Sequence, residues 1–184
     1  MENASDKIQN WVKQVQEHQT AGWDSMPEIY LYMDQVITYM ERQLNLFGRD
    51  EQSVLLTPSM INNYVKDRVL PRPDKKKYGR EHLAMLTIIS LLKQVLSIQD
   101  ISSVLNSGNG EVFQKEIYET FRVAQQEELA SVCERVNTAV EQGEEELLWL
   151  ACALAVEASA RRIVAERILS ELSHSKTESE EKQS

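Results

Sequence analysis

Residues 57–93 read TPSMINNYVKDRVLPRPDKKKYGREHLAMLTIISLLK, and the punctuation of this stretch decides the fold. Thr57 followed by Pro58 is an N-cap and first-turn pair: the threonine hydroxyl satisfies a free amide, and proline has no amide to lose. The helix started there turns Met60, Ile61, Tyr64 and Val65 inward, and Ser59, Asn62, Asn63 and Lys66 outward, at the 3.6-residue period. Pro71 and Pro73 then forbid helix, so 70–78 is expected as an extended or hairpin-like loop carrying Arg72, Lys75, Lys76 and Lys77. From 80 to 95 apolar residues fall on almost every side (Leu83, Met85, Leu86, Ile88, Ile89, Leu91, Leu92, Val95), the pattern of a central helix packed by several neighbours.

Working outward, Ser25 with Glu28 three residues on is a capping box with Pro27 in the first turn. Ile29, Tyr32, Met33, Val36, Ile37, Met40, Leu44 and Phe47 keep the helical period until Gly48, which predicts one long helix there. Residues 49–53 are a polar connection. Ile8, Trp11, Val12 and Val15 mark a short amphipathic helix ending near His18. Downstream, Ser97 and Asp100 cap a helix using Ile98, Ile101, Val104 and Leu105, ended by 106–110. Two long helices follow, about 111–142 and 144–172. Gly143 turns the chain between them, and so short a joint makes an antiparallel hairpin. The apolar run 147–156 is too short to cross a bilayer and reads as a buried helix. The expected organisation is therefore an N-terminal helix (1–24), a helix-turn-helix domain (25–106), a helical hairpin (107–172) and a polar tail without structure (173–184).

Charge is distributed unevenly. The chain carries −9 overall, yet residues 57–95 hold eight Lys/Arg against three Asp/Glu. An acidic body with one basic face is repelled from a polyanion in every orientation but one. On the short helix, Asn62 and Asn63 offer amides of the geometry that pairs with adenine in the major groove, and Ser59 and Thr57 suit base edges or phosphate. Lys66, Arg68, Arg72, Lys75, Lys76, Lys77 and Arg80 surround them with cations that would position the protein on the backbone.

Other chemistries lack support. His18, His82 and His174 are scattered, Cys133 and Cys152 lie nineteen positions apart, and no metal-ligand spacing occurs, so no metal or cofactor is expected and His82 reads as structural. Glycine-rich phosphate loops, GxSxG elbows and HExxH helices are missing, and Glu144, Glu145 and Glu146 sit at a helix start, where the macrodipole favours them. The expectation is a non-enzymatic protein. Acidic residues near the start argue against a secretory signal, and the two cysteines suit a reducing cytoplasm.

Tyr64, Val69-Leu70-Pro71-Arg72, the run 78–83, Leu86, Ile89 and the run 97–101 resemble the winged helix-turn-helix of the mercury-resistance-regulator (MerR) family. More narrowly, Thr57, the run 60–64, Lys66, Pro73, Lys76-Lys77-Tyr78 and Leu92-Lys93 resemble a family of small bacterial proteins catalogued as a domain of unknown function with MerR-like topology, over roughly 29–105. The resemblance implies an all-α, MerR-like winged fold with a small extended or β wing. Helix 58–66 is then the recognition helix, 70–78 the wing, and Tyr64 and Tyr78 its anchors. Asn62 and Val65 stand where MerR-type helices carry arginine and a second aromatic, and the connection 48–56 is longer than the usual tight turn. The function implied is a transcriptional regulator binding duplex DNA at a short inverted repeat. The broad apolar faces of the last two helices suit a homodimer, packing of the hairpin on its own chain's core, or an effector pocket. The alternative is a protein–protein adaptor docking through the hairpin.

Overall fold

Nine consecutive residues, His82 to Ser90, are buried in the helix at the centre of the structure, a computed structural model that describes residues 3–48 and 55–181. Seven α-helices and no strand make up the described residues. They are α1 (Ala4–Glu17), α2 (Met33–Leu44), α3 (Pro58–Lys66), α4 (Arg80–Leu92), α5 (Ile98–Leu105), α6 (Glu111–Gln142) and α7 (Glu144–Glu181).

Capping explains where most of them start. Asn3 accepts the Asp6 amide at 2.8 Å, and Asp6 accepts that of Asn3 in return, closing a capping box on α1. Thr57 Oγ1 takes the Met60 amide at 3.2 Å with Pro58 at the first position of α3, and Ser97 Oγ takes that of Asp100 at 3.1 Å at the head of α5.

Two hydrophobic cores result. The larger gathers α2, α3, α5 and the first turns of α6 around α4, with Val36, Met40, Ile61, Leu83, Leu86, Ile89 and Ile101 fully buried, each contributing roughly 2 kcal/mol. Tyr118 on α6 closes it, stacking obliquely on Trp23 and donating its hydroxyl to the Ala21 carbonyl at 2.6 Å. The smaller core joins Val12 and Val15 of α1 to Cys133 and Val136 of α6, with Leu147 and Leu150 of α7 against it. One long helix therefore serves both cores. Gly143, at φ 117°, makes the turn into α7, and ion pairs fix the antiparallel register: Arg135 with Glu157 through two bonds of 2.8 and 2.9 Å, Arg161 with Glu128 at 2.7 Å.

Four expectations need correction. The single helix expected after Ser25 is a 3₁₀ turn at Trp23–Ser25, an extended passage, and then α2 from Met33, where Gln35 caps the Tyr32 amide at 2.9 Å. Helix is impossible there because Leu31 exchanges both backbone hydrogen bonds with Tyr78, at 2.9 and 2.8 Å. The wing contains no sheet, only the isolated bridges Leu31–Tyr78 and Asp74–Lys77. On α7 the run 147–156 is not interred: Leu147 and Leu150 are half-buried against the smaller core and Leu154 is half-buried, while Leu148, Trp149 and Val156 face outward at more than 60% exposure. Finally, α7 continues through Glu181, so the tail expected over 173–184 is helical to that point. The polar connection 49–53 lies outside the described residues.

Candidate nucleic-acid interface

At the end of α3 the chain reverses on Tyr64, whose carbonyl accepts the amides of Val69 and Leu70 at 2.9 and 3.0 Å. Arg68 makes the reversal possible by adopting φ 60°, the left-handed backbone that usually calls for glycine at a helix C-terminus. Val69 and Leu70 are driven into the core, 2% and 1% exposed. Pro71 and Arg72 then lead out to a tight hairpin tip, 74–77, in which the Lys77 amide bonds the Asp74 carbonyl at 2.8 Å.

Both central residues of that tip have positive φ, 47° at Lys75 and 66° at Lys76, the type I′ pattern for which Asn-Gly is the favoured sequence. Lys75, Lys76 and Arg68 are the positive-φ residues other than glycine among the described residues, and each is a cation. Left-handed backbone costs an L-residue with a long side chain roughly 1 kcal/mol.

The other side chains assigned from sequence divide clearly. Ser59, Asn62, Asn63 and Lys66 are exposed on α3, and Arg68, Arg72, Lys75, Lys76 and Lys77 are exposed on the turn and tip that follow. Lys77 Nζ stands 5.6 Å above the ring of Tyr32. Tyr64 and Tyr78, by contrast, are 8% and 4% exposed, and burial pushes both phenols up. Both belong to the larger core, which they join to the turn after α3 and to the end of the hairpin loop. The Thr57 hydroxyl is engaged by the Met60 amide. Arg80 turns away from the tip toward Glu28, at 3.5 Å, and the Met26 carbonyl.

His82 is buried, its ring edge-on to Tyr78 at 5.4 Å, as a structural histidine should be. Nδ1 lies 3.1 Å from the Gly79 amide and 2.9 Å from Glu81. The first contact needs an unprotonated Nδ1 and the second a protonated one, so they exclude each other; we favour the amide, which has the helix N-terminus behind it.

Two features were not read from sequence. Lys93, at the end of α4, reaches back to the Leu55 carbonyl and lies 3.7 Å from Met60 Sδ, with desolvation lowering its pKa. It thereby ties the start of α3 to the central helix. Ile29, Tyr30 and Tyr32 are all more than half exposed on the extended passage paired to the wing. The run Ile29-Tyr30-Leu31-Tyr32, of residue types enriched in strands, was the available signal, hidden because the same residues also fit a helical period.

No helix among the described residues is long and apolar enough to cross a membrane, and no group of metal-ligating side chains forms among them. Residues 21–126 match the family described as Domain of unknown function (DUF1836). This span contains the whole larger core, whose members run from Ala21 to Phe121. No curated protein and no solved structure matches.

Proposed function

The chain belongs to the DUF1836 family, and we propose that this member is a cytoplasmic, DNA-binding transcriptional regulator with a MerR-like reading head. One observation carries the reading: the strained backbone positions of 68–76 are occupied by Arg68, Lys75 and Lys76, beside a helix whose outward face is Ser59, Asn62, Asn63 and Lys66. Cations stand at those positions against the preference of the turn, which is intelligible when the tip meets phosphate. The order α2, α3, hairpin tip, α4, α5, with the passage before α2 paired to the wing, supports the winged reading without a sheet.

In this reading α3 enters the major groove, Asn62 and Asn63 bond adenine edges, and Lys66, Arg72 and the tip lysines neutralise backbone on either side. Tyr30 and Tyr32 add hydroxyls that suit phosphate at the wing's edge.

A regulator of inverted repeats needs two heads, and α7 suits a second copy. Leu148, Trp149, Val156 and Ile163 stand exposed on a stripe facing away from α6, joined by the small side chains of Cys152, Ser159 and Ala160. Residues 144–157 hold four glutamates and no basic residue, whereas 158–170 hold three arginines and one glutamate. An antiparallel pair centred on Val156 sets Trp149 against Ile163 of the copy, Cys152 against Ala160, and Glu145 near Arg167, so apolar fit and charge agree in one register.

The same stripe is the observation that favours an adaptor, with a foreign helix in place of the copy. Selection of bound duplexes from a fragmented genomic library distinguishes the two. Regulation yields an enriched inverted repeat, and recovery of random fragments with no shared half-site leaves the adaptor.

A further inference from the structure

A cavity of about 120 Å³ lies between the end of α1, the turn after α2 and the middle of α6. Its wall on α6 is a single helix face read along its length: Arg122, Gln125 and Gln126, then Leu129, Ala130 and Cys133. The cavity is therefore polar at one end and apolar at the other, along about 16 Å of helix rise. Val15 packs with Cys133, and Ala21 is held by Tyr118, so the chain between them runs toward the start of α6 and brings His18 in beside the polar turn.

Two polar groups there have capacity to spare. His18 Nε2 is buried without a hydrogen-bond partner, with the ring edge-on to Phe47 at 5.7 Å. A buried ring nitrogen left unsatisfied points to a missing partner. Arg122 contacts Glu119 through Nε and Nη2, each at 2.8 Å, which leaves Nη1 for another acceptor. No aspartate or glutamate lines the cavity. A guanidinium, two amides and an imidazole, with an apolar floor and no acid, select an anion on a greasy body.

We propose that this cavity binds a small monocarboxylate with a compact apolar body, of about the size of benzoate. At about 120 Å³ it is a little smaller than engineered cavities of about 150 Å³ that hold benzene, so it takes the apolar body while the carboxylate sits at its polar end. The carboxylate is received by Arg122 Nη1 and His18 Nε2–H, and the body rests on Phe47, Leu129 and Ala130. Glu119, the partner of Arg122, accepts the Trp23 amide at 2.6 Å through its other oxygen, so occupancy is felt at a side chain of the larger core. The proposal is independent of whether the protein binds DNA.

The test is titration of the full chain, carrying Trp11→Phe and Trp149→Phe so that Trp23 alone reports, with benzoate, isovalerate, benzamide and benzylamine. The carboxylates should saturate the fluorescence change at millimolar concentration or below, with the melting temperature raised by about 3–6 °C at tenfold excess over Kd. Benzamide should bind at least about tenfold more weakly and benzylamine not at all. Arg122→Gln should weaken benzoate by about tenfold or more, and Ala130→Phe, which fills the cavity and leaves Arg122 and Glu119 in place, should abolish it. Failure of both carboxylates to saturate, equal binding of the amide, or benzoate binding that survives Ala130→Phe would each overturn the assignment.

Discussion

Replacing Lys75 by Asn and Lys76 by Gly puts at the hairpin tip the pair that its backbone prefers. Both positions have positive φ, and a type I′ turn of two lysines carries roughly 1 kcal/mol of strain at each. Relief of that strain is partly offset by the extra freedom of glycine in the unfolded chain, about 0.5–1 kcal/mol. A net gain of about 1 kcal/mol remains, or about 2–4 °C for a chain of this size. DNA binding should move the other way. Two cations lost from each head remove four from a dimer, which flattens the dependence of log K on log salt by about 3.6 and costs roughly three orders of magnitude in affinity near 0.15 M salt. Urea denaturation and fluorescence anisotropy on the same preparation measure the two halves. More stable protein with undiminished binding would mean that the lysines are simply solvated; a less stable one would mean that the tip is not the strained turn described.

Further outcomes follow from the same contacts. Val156→Glu sets two like charges on the proposed dimer axis, so sedimentation should show monomer while the circular dichroism spectrum keeps its helix content. Lys93→Met leaves the Leu55 carbonyl without its donor and should cost about 1 kcal/mol, with a larger loss in DNA affinity than in stability because the start of α3 is freed. Burial raises the pKa of Glu119, but the Trp23 amide and Arg122 outweigh it and hold the group below the ordinary 4.5. A depressed carboxyl stabilises the fold above its unfolded value and loses that contribution as pH falls through the folded one. Between about pH 5 and pH 3 the urea midpoint of the native chain should therefore fall more steeply than that of Glu119→Gln.

What was legible in the sequence was local. The limits of α3, α5 and α6 follow from Thr57-Pro58, from Ser97 with Asp100, and from Gly110 and Gly143, because a cap or a glycine acts within one turn of itself. The non-helical loop between α3 and α4 followed from Pro71 and Pro73, and every cation assigned to α3 and the tip is exposed. Pairing across the chain was not legible. Leu31 meets Tyr78 across 47 positions, and that exchange turns a segment of helical periodicity into an extended one. Arg80 was assigned to the interface by proximity in sequence, yet Glu28 and Met26 hold it elsewhere. The run 147–156 was read as a buried helix because so apolar a stretch usually is; among the described residues nothing covers Trp149 or Val156, the excess of apolar face that the hairpin was expected to carry.

The central claim is that a cationic tip and a polar helix face form one surface for duplex DNA. Anisotropy of a labelled genomic duplex, titrated with the full chain between 50 and 200 mM salt, tests it most directly. If a dimer neutralises about eight phosphates, log K should fall with log salt at a slope near −7. A slope near zero, or no saturable complex at the lowest salt, would contradict the account.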